Sequence, residues 1–473
     1  MIIERRIMSW NSNGHKVVCA CVGFFMIAGL SACGSGSNNG GNRSAGAEGG
    51  VTASQAAAAL KSDKDVELTL WTWQADSLKS TIDAFQSRYP HIKVKVTATG
   101  AAADHYTKFS NVIKANKDIP DMTMLEYDYL PQYATTKALL NINDKSIEQQ
   151  MGSRYTKAAW ADVHVAGGLY GFPMDQGPIV MYSRRDLLDQ HGIAIPKTWD
   201  EFEQAGIALH KADPTRYMGY IDTADVRYMA AIMRQAKAPM WQVKGLENVT
   251  LDMTNKKVKE VVDFIQRLID EDVLEPVASK TDEYNRGFAE GRWVTKIDGA
   301  WRSSTYEKQQ QSMKGKVEIT LPPAWGSSAA DFKSATIGGS LFAVTTSCPK
   351  DKRAAAVAFL NWICSDPAAV KAGNSEGGIR FSPTKAYLDD ATYQNQHNDY
   401  FNQNVNAIYM ESSKKINTDW SILPFNTQYA TSFKDIVVPE MKKGGKLASA
   451  FPKWQESLKT YAEGQGFKIT DKK

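Results

Sequence analysis

Between Val66 and Glu126 the apolar pattern keeps switching its period, and that alternation permits few folds. Val66 to Trp73 is β-branched and aromatic, as a strand requires. From Asp76 to Tyr89, Leu78, Ile82, Phe85 and Tyr89 return at helical spacing, and Pro90 marks the stop. Ile92, Val94 and Val96 alternate with Lys93 and Lys95, which predicts a second strand. Thr107–Ala115 reads as a helix and Asp121–Glu126 as a third strand. This strand–helix order predicts an α/β lobe with a mainly parallel sheet. Ligands of such sheets sit beyond the carboxyl ends of the strands. Those ends carry Trp73-Gln74 and Tyr127-Asp128-Tyr129.

A chain of 473 residues is too long for one such lobe; at about 100–200 residues per domain it holds two to four. Lys and Arg total 56 and Asp and Glu 52, a net charge of +4. That balance excludes a partner held mainly by phosphate neutralisation, so no nucleic acid is expected. Five cysteines exclude a disulfide-built scaffold. Asp351 to Cys364 reads as a helix with Cys348 before its start. At 1.5 Å per residue the two sulfurs' residues lie about 20 Å apart, so two buried thiols are expected rather than a bridge.

The N-terminus reads as an address. Arg5, Arg6 and Lys16 precede the uncharged run Val17–Leu30. That run is shorter than the ~20 residues a bilayer span needs, but it suits a signal-peptide core. Leu30-Ser31-Ala32-Cys33 resembles the lipobox of bacterial lipoproteins, which implies lipid attachment at Cys33 and loss of residues 1–32. Gly34 to Gly50 is almost all Gly, Ser, Asn and Ala, and residues 33–62 are expected to form a flexible tether.

Further blocks follow in order: Phe85-Gln86, Tyr89-Pro90, Ile119-Pro120-Asp121, Leu169-Tyr170-Gly171-Phe172-Pro173, Pro196-Lys197-Thr198-Trp199, Phe288-Ala289-Glu290-Gly291-Arg292, Asp298-Gly299-Ala300-Trp301 and Gly338-Gly339. In this arrangement the chain resembles the extracellular solute-binding proteins of ABC importers that bind oligosaccharides, the maltose-binding-protein-like group. The resemblance implies a two-lobed α/β, type II periplasmic-binding-protein fold with a hinged central cleft. Lobe 1 would hold 66–174 and 338–383, and lobe 2 would hold 178–335 and 386–473. Gly177, Gly338 and Gly339 would be hinge residues, since glycine absorbs large φ/ψ changes.

A sugar needs flat aromatic surfaces for its C–H faces and short polar groups for its hydroxyls. Trp73, Gln74, Tyr127, Asp128, Asp175, Trp301, Gly338 and Arg380 are the expected ligand-binding set. Within it, Asp128 and Trp301 stand where the similar family carries a sugar-contacting Asp and a stacking Trp. Trp71 is assigned to the core. Trp241, Trp325 and Trp420 fall in loops and rank below these as cleft residues. Trp160, Trp199, Trp362 and Trp454 lie in apparent helices and are expected to pack.

Neither a paired acid and base at glycosidase separation nor a G-x-S-x-G, H-E-x-x-H or P-loop pattern stands out. The chain therefore reads as a binding protein without catalytic residues, metal or cofactor. Its expected partners are a sugar or oligosaccharide, ABC permease subunits, and the membrane through a lipid anchor; it is expected to be a monomer. An anionic ligand would recruit clustered Arg or Lys, whereas the candidate set carries only Arg380 beside several acids. A neutral polyol is thus favoured, with a polyamine or peptide as the alternative.

Overall fold

The computed structural model describes residues 50–279, 281–375 and 381–471. Cys33, the leader and Arg380 lie outside the described residues. Helix α1 (Ala53–Ala59) falls inside the span expected to be tether. Thr52 and Gln55 form a capping box, each side chain accepting from the other's backbone N–H. Val51, Ala53 and Ala56 are buried, and Ala53 N donates to Ser146 Oγ at 2.9 Å. The tether reading therefore fails from Val51 onward. Low hydrophobicity concealed a short alanine helix, which needs only a cap and a surface to lie on.

The chain then forms β1 (Val66–Thr72), α2 (Ala75–Arg88), β2 (Ile92–Ala98), α3 (Ala102–Ala115) and β3 (Met122–Glu126). It continues through β4 (Phe172–Pro173), β5 (Ile179–Arg184), β6 (Gly219–Asp222), helix α4 (Arg227–Gln235) and β7 (Leu274–Val277). Strands β8 (Thr295–Gly299), β9 (Val317–Thr320) and β10 (Ser340–Val344) follow.

In lobe 1, β1 pairs in parallel with β2 from Val66↔Ile92 to Thr72↔Ala98, and with β3 at Leu70↔Met122. β10 returns from far along the chain and runs antiparallel to β3, Ser340 opposite Glu126, with β4 at the edge. Leu68, Leu70 and Thr72 point into the core. Trp71 and Trp73 are two residues apart and so share the opposite face, where both are half-buried. The assignment of Trp71 to the core is corrected by that period of two. Cys348 and Cys364 are buried and form no disulfide.

Lobe 2 is built on β5, with β8 antiparallel on one side and β9 on the other. Hydrogen bonds from Val294 N to Tyr217 O and Thr295 N to Met218 O extend the sheet to the parallel pair β6 and β7. Trp199, Phe202 and Trp454 fill one core and Tyr182, Phe288, Trp293 and Tyr409 the other.

The lobes are joined by two antiparallel crossing segments and a third strand of chain. Ile337 N donates to Gly177 O at 2.9 Å, Met174 N to Ser340 O at 2.9 Å, and Gln176 N to Phe381 O at 3.0 Å. A Cβ on Gly177 would lie 2.3 Å from Ile337 O, so no other residue fits there. Gly338 and Gly339 have φ of +73° and +105°, which L side chains rarely adopt.

Candidate functional site

The carboxyl end of β3 turns through Tyr127–Tyr129 at the junction of the lobes. There Asp128 faces a cavity whose other walls are Arg227 and Arg234 of α4, Trp241, Trp420, Asn426 and Thr336. Arg227 and Arg234 are seven residues apart and therefore share one helix face. Arg227 forks onto Asp225 and reaches across the cleft to Glu126 Oε1 at 2.5 Å. Arg234 donates to Asn417 O at 2.8 Å and Thr336 Oγ1 at 3.0 Å. Thr427 N also donates across the lobes, to Gln132 Oε1 at 3.2 Å.

Asp128 accepts no hydrogen bond from any described residue. Burial pushes its carboxyl up to about 6; Arg227 opposes this, and Glu126 and Asp225 add to it. It is an acceptor held half in reserve. Trp241 is buried and its Nε1 donates to Ser421 O at 2.7 Å. Trp420 stands edge-on against it, centroids 5.5 Å apart, and Tyr429 packs on it at 5.0 Å. The Tyr429 hydroxyl is buried and has no hydrogen-bond partner among the described residues. Aromatic surface and a free carboxylate acceptor thus converge on one small space.

Among the described residues, Asp128 is the one member of the expected set on this cavity wall. Tyr127 packs its ring beside Gly339 and donates its hydroxyl to Asp175 O at 2.9 Å. Asp175 Oδ1 accepts from Ser340 N at 2.5 Å, a bond within the crossing. Trp301 donates Nε1 to Ile337 O at 2.8 Å and carries Arg302 over its ring at 4.3 Å, close to Gly338. Trp73 packs on His105 at 5.1 Å and Tyr106 at 6.0 Å, while Gln74 is half-buried at the start of α2. Gly338 belongs to the crossing. Trp325 packs on Trp199 and Phe264.

Arg227, Arg234 and Asn426 were not expected. The seven-residue spacing of the two arginines was the signal that could have found them. They correct the reading of the site as poor in arginine, but carboxylates already engage Arg227, and Arg234 is tied to Asn417 and Thr336. Among the described residues no group of three or more His, Cys, Asp or Glu is placed to hold a metal. No described helix is long and apolar enough to cross a membrane.

A family model described as bacterial extracellular solute-binding protein matches residues 80–402. The chain is 23% identical over 370 residues to an arabinooligosaccharide-binding protein of Halalkalibacterium halodurans, covering 74% of this chain and 79% of that one. It is 24% identical over 311 residues to a lactose-binding protein of Rhizobium radiobacter, covering 63% and 70%. Among solved structures, an ABC transporter associated binding protein from B. animalis subsp. lactis, in complex with beta-1,6-galactobiose, superposes with a TM-score of 0.73 at 27% identity. It covers 86% of this chain and 100% of that one. The galacto-N-biose-/lacto-N-biose I-binding protein of Bifidobacterium longum, in complex with lacto-N-biose, gives 0.71 at 19% identity, covering 86% and 100%.

Proposed function

The chain belongs to the bacterial extracellular solute-binding proteins, and from that premise we propose that it captures a sugar or short oligosaccharide between its lobes and delivers it to an ABC permease. The observation that carries this reading is the set of residues around that cavity; the space is about 30 Å³, so the lobes must part for a sugar ring to enter. Asp128 accepts from no described residue and so offers an acceptor for hydroxyl protons, and Trp241 and Trp420 offer apolar ring surface. The arginines beside them are largely committed to Asp225, Glu126, Asn417 and Thr336. A neutral polyol is therefore favoured over an anion.

Capture works by differential affinity. Asp128 comes from lobe 1, and Trp241 and Trp420 from the lobe 2 side. A ligand touching both stabilises the closed arrangement that the Arg227–Glu126 contact also joins. Expected ligand contacts from Trp73, Trp301 and Arg380 belong to the same proposal. So do hinge motion at Gly177, Gly338 and Gly339, a lipid anchor on Cys33 at the outer face of the membrane, and a monomeric state. A family of solute-binding proteins calls for no catalytic step here.

The test is calorimetric titration of the full chain with lactose, beta-1,6-galactobiose and an arabinooligosaccharide, with spermidine as the rival ligand. Saturable binding of one sugar, lost in Trp420→Ala, is expected. Binding of spermidine and of no sugar would sink the reading. Mass spectrometry of the membrane fraction should find a diacylglycerol adduct on Cys33, and an unmodified thiol there would remove the anchor.

A further inference from the structure

Inside lobe 2, behind helix α4, lies a cavity of about 40 Å³. Its walls include Ile221 of β6, Leu274 of β7 and Ile297 of β8. Trp199 and Phe202, from the helix Trp199–Ala212, and Ile232 of α4 add to them. Every wall residue except Ile232 and Ile297 is buried, so this is an interior space rather than a surface groove. Close packing leaves few such voids in a domain.

Each polar side chain on the wall is already engaged. Gln235 accepts from Trp199 Nε1 at 3.2 Å and donates Nε2 to Pro323 O at 2.9 Å. Tyr228 donates to Asp298 Oδ2 at 2.8 Å, and Thr295 donates Oγ1 to Met218 O at 2.6 Å. The hydroxyls of Tyr220 and Tyr284 share a hydrogen bond at 3.3 Å. A buried water needs about two to four polar partners, and these walls have none to spare, so water is a poor occupant. An apolar guest has the opposite balance. It gives up little hydration and restores the dispersion contacts that a void forfeits. An apolar cavity of ~150 Å³ stays dry and takes benzene or xenon; this smaller one suits a guest of only a few heavy atoms.

Helix α4 is the partition between this cavity and the cleft. Arg227 and Arg234 line the cleft side, Tyr228, Ile232 and Gln235 line the cavity side, and Ala231 lines both. Ile337 of the crossing segment also borders the cavity, and its carbonyl accepts from Trp301 Nε1 at 2.8 Å. We propose that the cavity is a binding site for a small apolar molecule, a dissolved gas or light hydrocarbon, and that filling it resets Arg227 and Arg234 through α4. The link is reciprocal: whatever moves α4 from the cleft side changes the cavity's affinity for its guest by the same factor. None of this depends on the cleft taking a sugar.

The probe is xenon, titrated by pressure into the full chain and followed by NMR of isoleucine methyl and arginine Nε–H signals. Saturable shifts are expected at Ile179, Ile221 and Ile337, which line the cavity, together with shifts at Arg227 and Arg234. Leu274→Phe, which fills the space from the sheet side, should weaken xenon binding about tenfold. The unaltered chain decides the matter even if that variant does not fold. No saturable shift at the three isoleucines, or equal shifts at Ile92 and Ile142 in the lobe 1 core, overturns the site. Isoleucine shifts with unmoved Arg227 and Arg234 signals overturn the link to the cleft.

Discussion

Asp128→Asn is expected to weaken sugar binding about tenfold to a hundredfold at pH 8 and hardly at all at pH 5. The first figure follows from the ~1.5–3 kcal/mol worth of a hydrogen bond to a charged group. The pH dependence follows from where the carboxyl titrates. Without ligand, burial holds its pKa at about 6, above the ordinary value of 3.8. Hydroxyl donors favour the ionised form and pull the pKa down in the complex. Affinity should therefore rise as pH rises through 6 and level off above it. Asparagine, which resembles the protonated acid in shape, should give a flat profile. The same shift acts on folding with the opposite preference. A carboxyl whose folded pKa is raised contributes its stability below about 3.8 and loses it as pH rises through 6. Calorimetry from pH 5 to 8 decides the matter: a pH-independent affinity in the unaltered chain would remove Asp128 from the ligand's contacts.

Lys296→Met is expected to stabilise the protein by about 1–4 kcal/mol at neutral pH. Lys296 lies on β8, 3% exposed, with no hydrogen bond to any described residue. Its Nζ sits 3.7 Å from the centroid of Tyr284, 5.2 Å from Tyr220 and 5.9 Å from Tyr306. Cation–π attraction offsets part of the desolvation, by roughly 1–2 kcal/mol. Burial still lowers the pKa to about 7; Arg302 adds to this, and Asp298 and Asp222 oppose it. Between pH 7 and about 10.4 the unfolded chain holds a proton here that the folded chain does not. Stability should therefore climb with pH across that window in the unaltered protein, and the methionine variant should lack the climb. Urea unfolding at pH 6.5 and pH 9.5 reads both effects. A lower midpoint for the variant at pH 6.5 would show that the tyrosine cage outweighs the cost of burial.

The first lobe was readable because its signals are local. Leu78, Ile82 and Phe85 mark α2, and Ile92 and Val94 mark β2, within a few residues of one another. β10 joins the same sheet from more than two hundred residues away, and only the family resemblance pointed to it. Asp128 was legible because the end of β3 fixes its place. Trp241 and Trp420 ranked only as lesser candidates and Asn426 was missed, because the strand Trp241–Lys244 and the segment from Trp420 to Asn426 meet Asp128 only when segments far apart in the chain pack together. Tyr127 and Asp175 illustrate the converse. A ligand contact was expected of Tyr127 at the end of β3 and of Asp175 at the first crossing, yet Tyr127 gives its hydroxyl to Asp175 O and Asp175 Oδ1 accepts from Ser340 N. A strand end fixes the position of a residue; its neighbours decide what the side chain has left to offer.

Helix α1 alters the mechanics of any anchor at Cys33. With residues 33–62 free, the leash would reach about 100 Å at full stretch, at ~3.5 Å per residue. Docking from Val51 onward leaves Cys33 to Gly50 and caps the reach near 60 Å. Shortening the reach by about two fifths would, for an anchored protein, raise its local concentration at a transporter severalfold. If Cys33 carries the proposed anchor, the described chain next to it, α1, packs on lobe 1, so it is lobe 1 that the anchor would hold and lobe 2 that would be left to move.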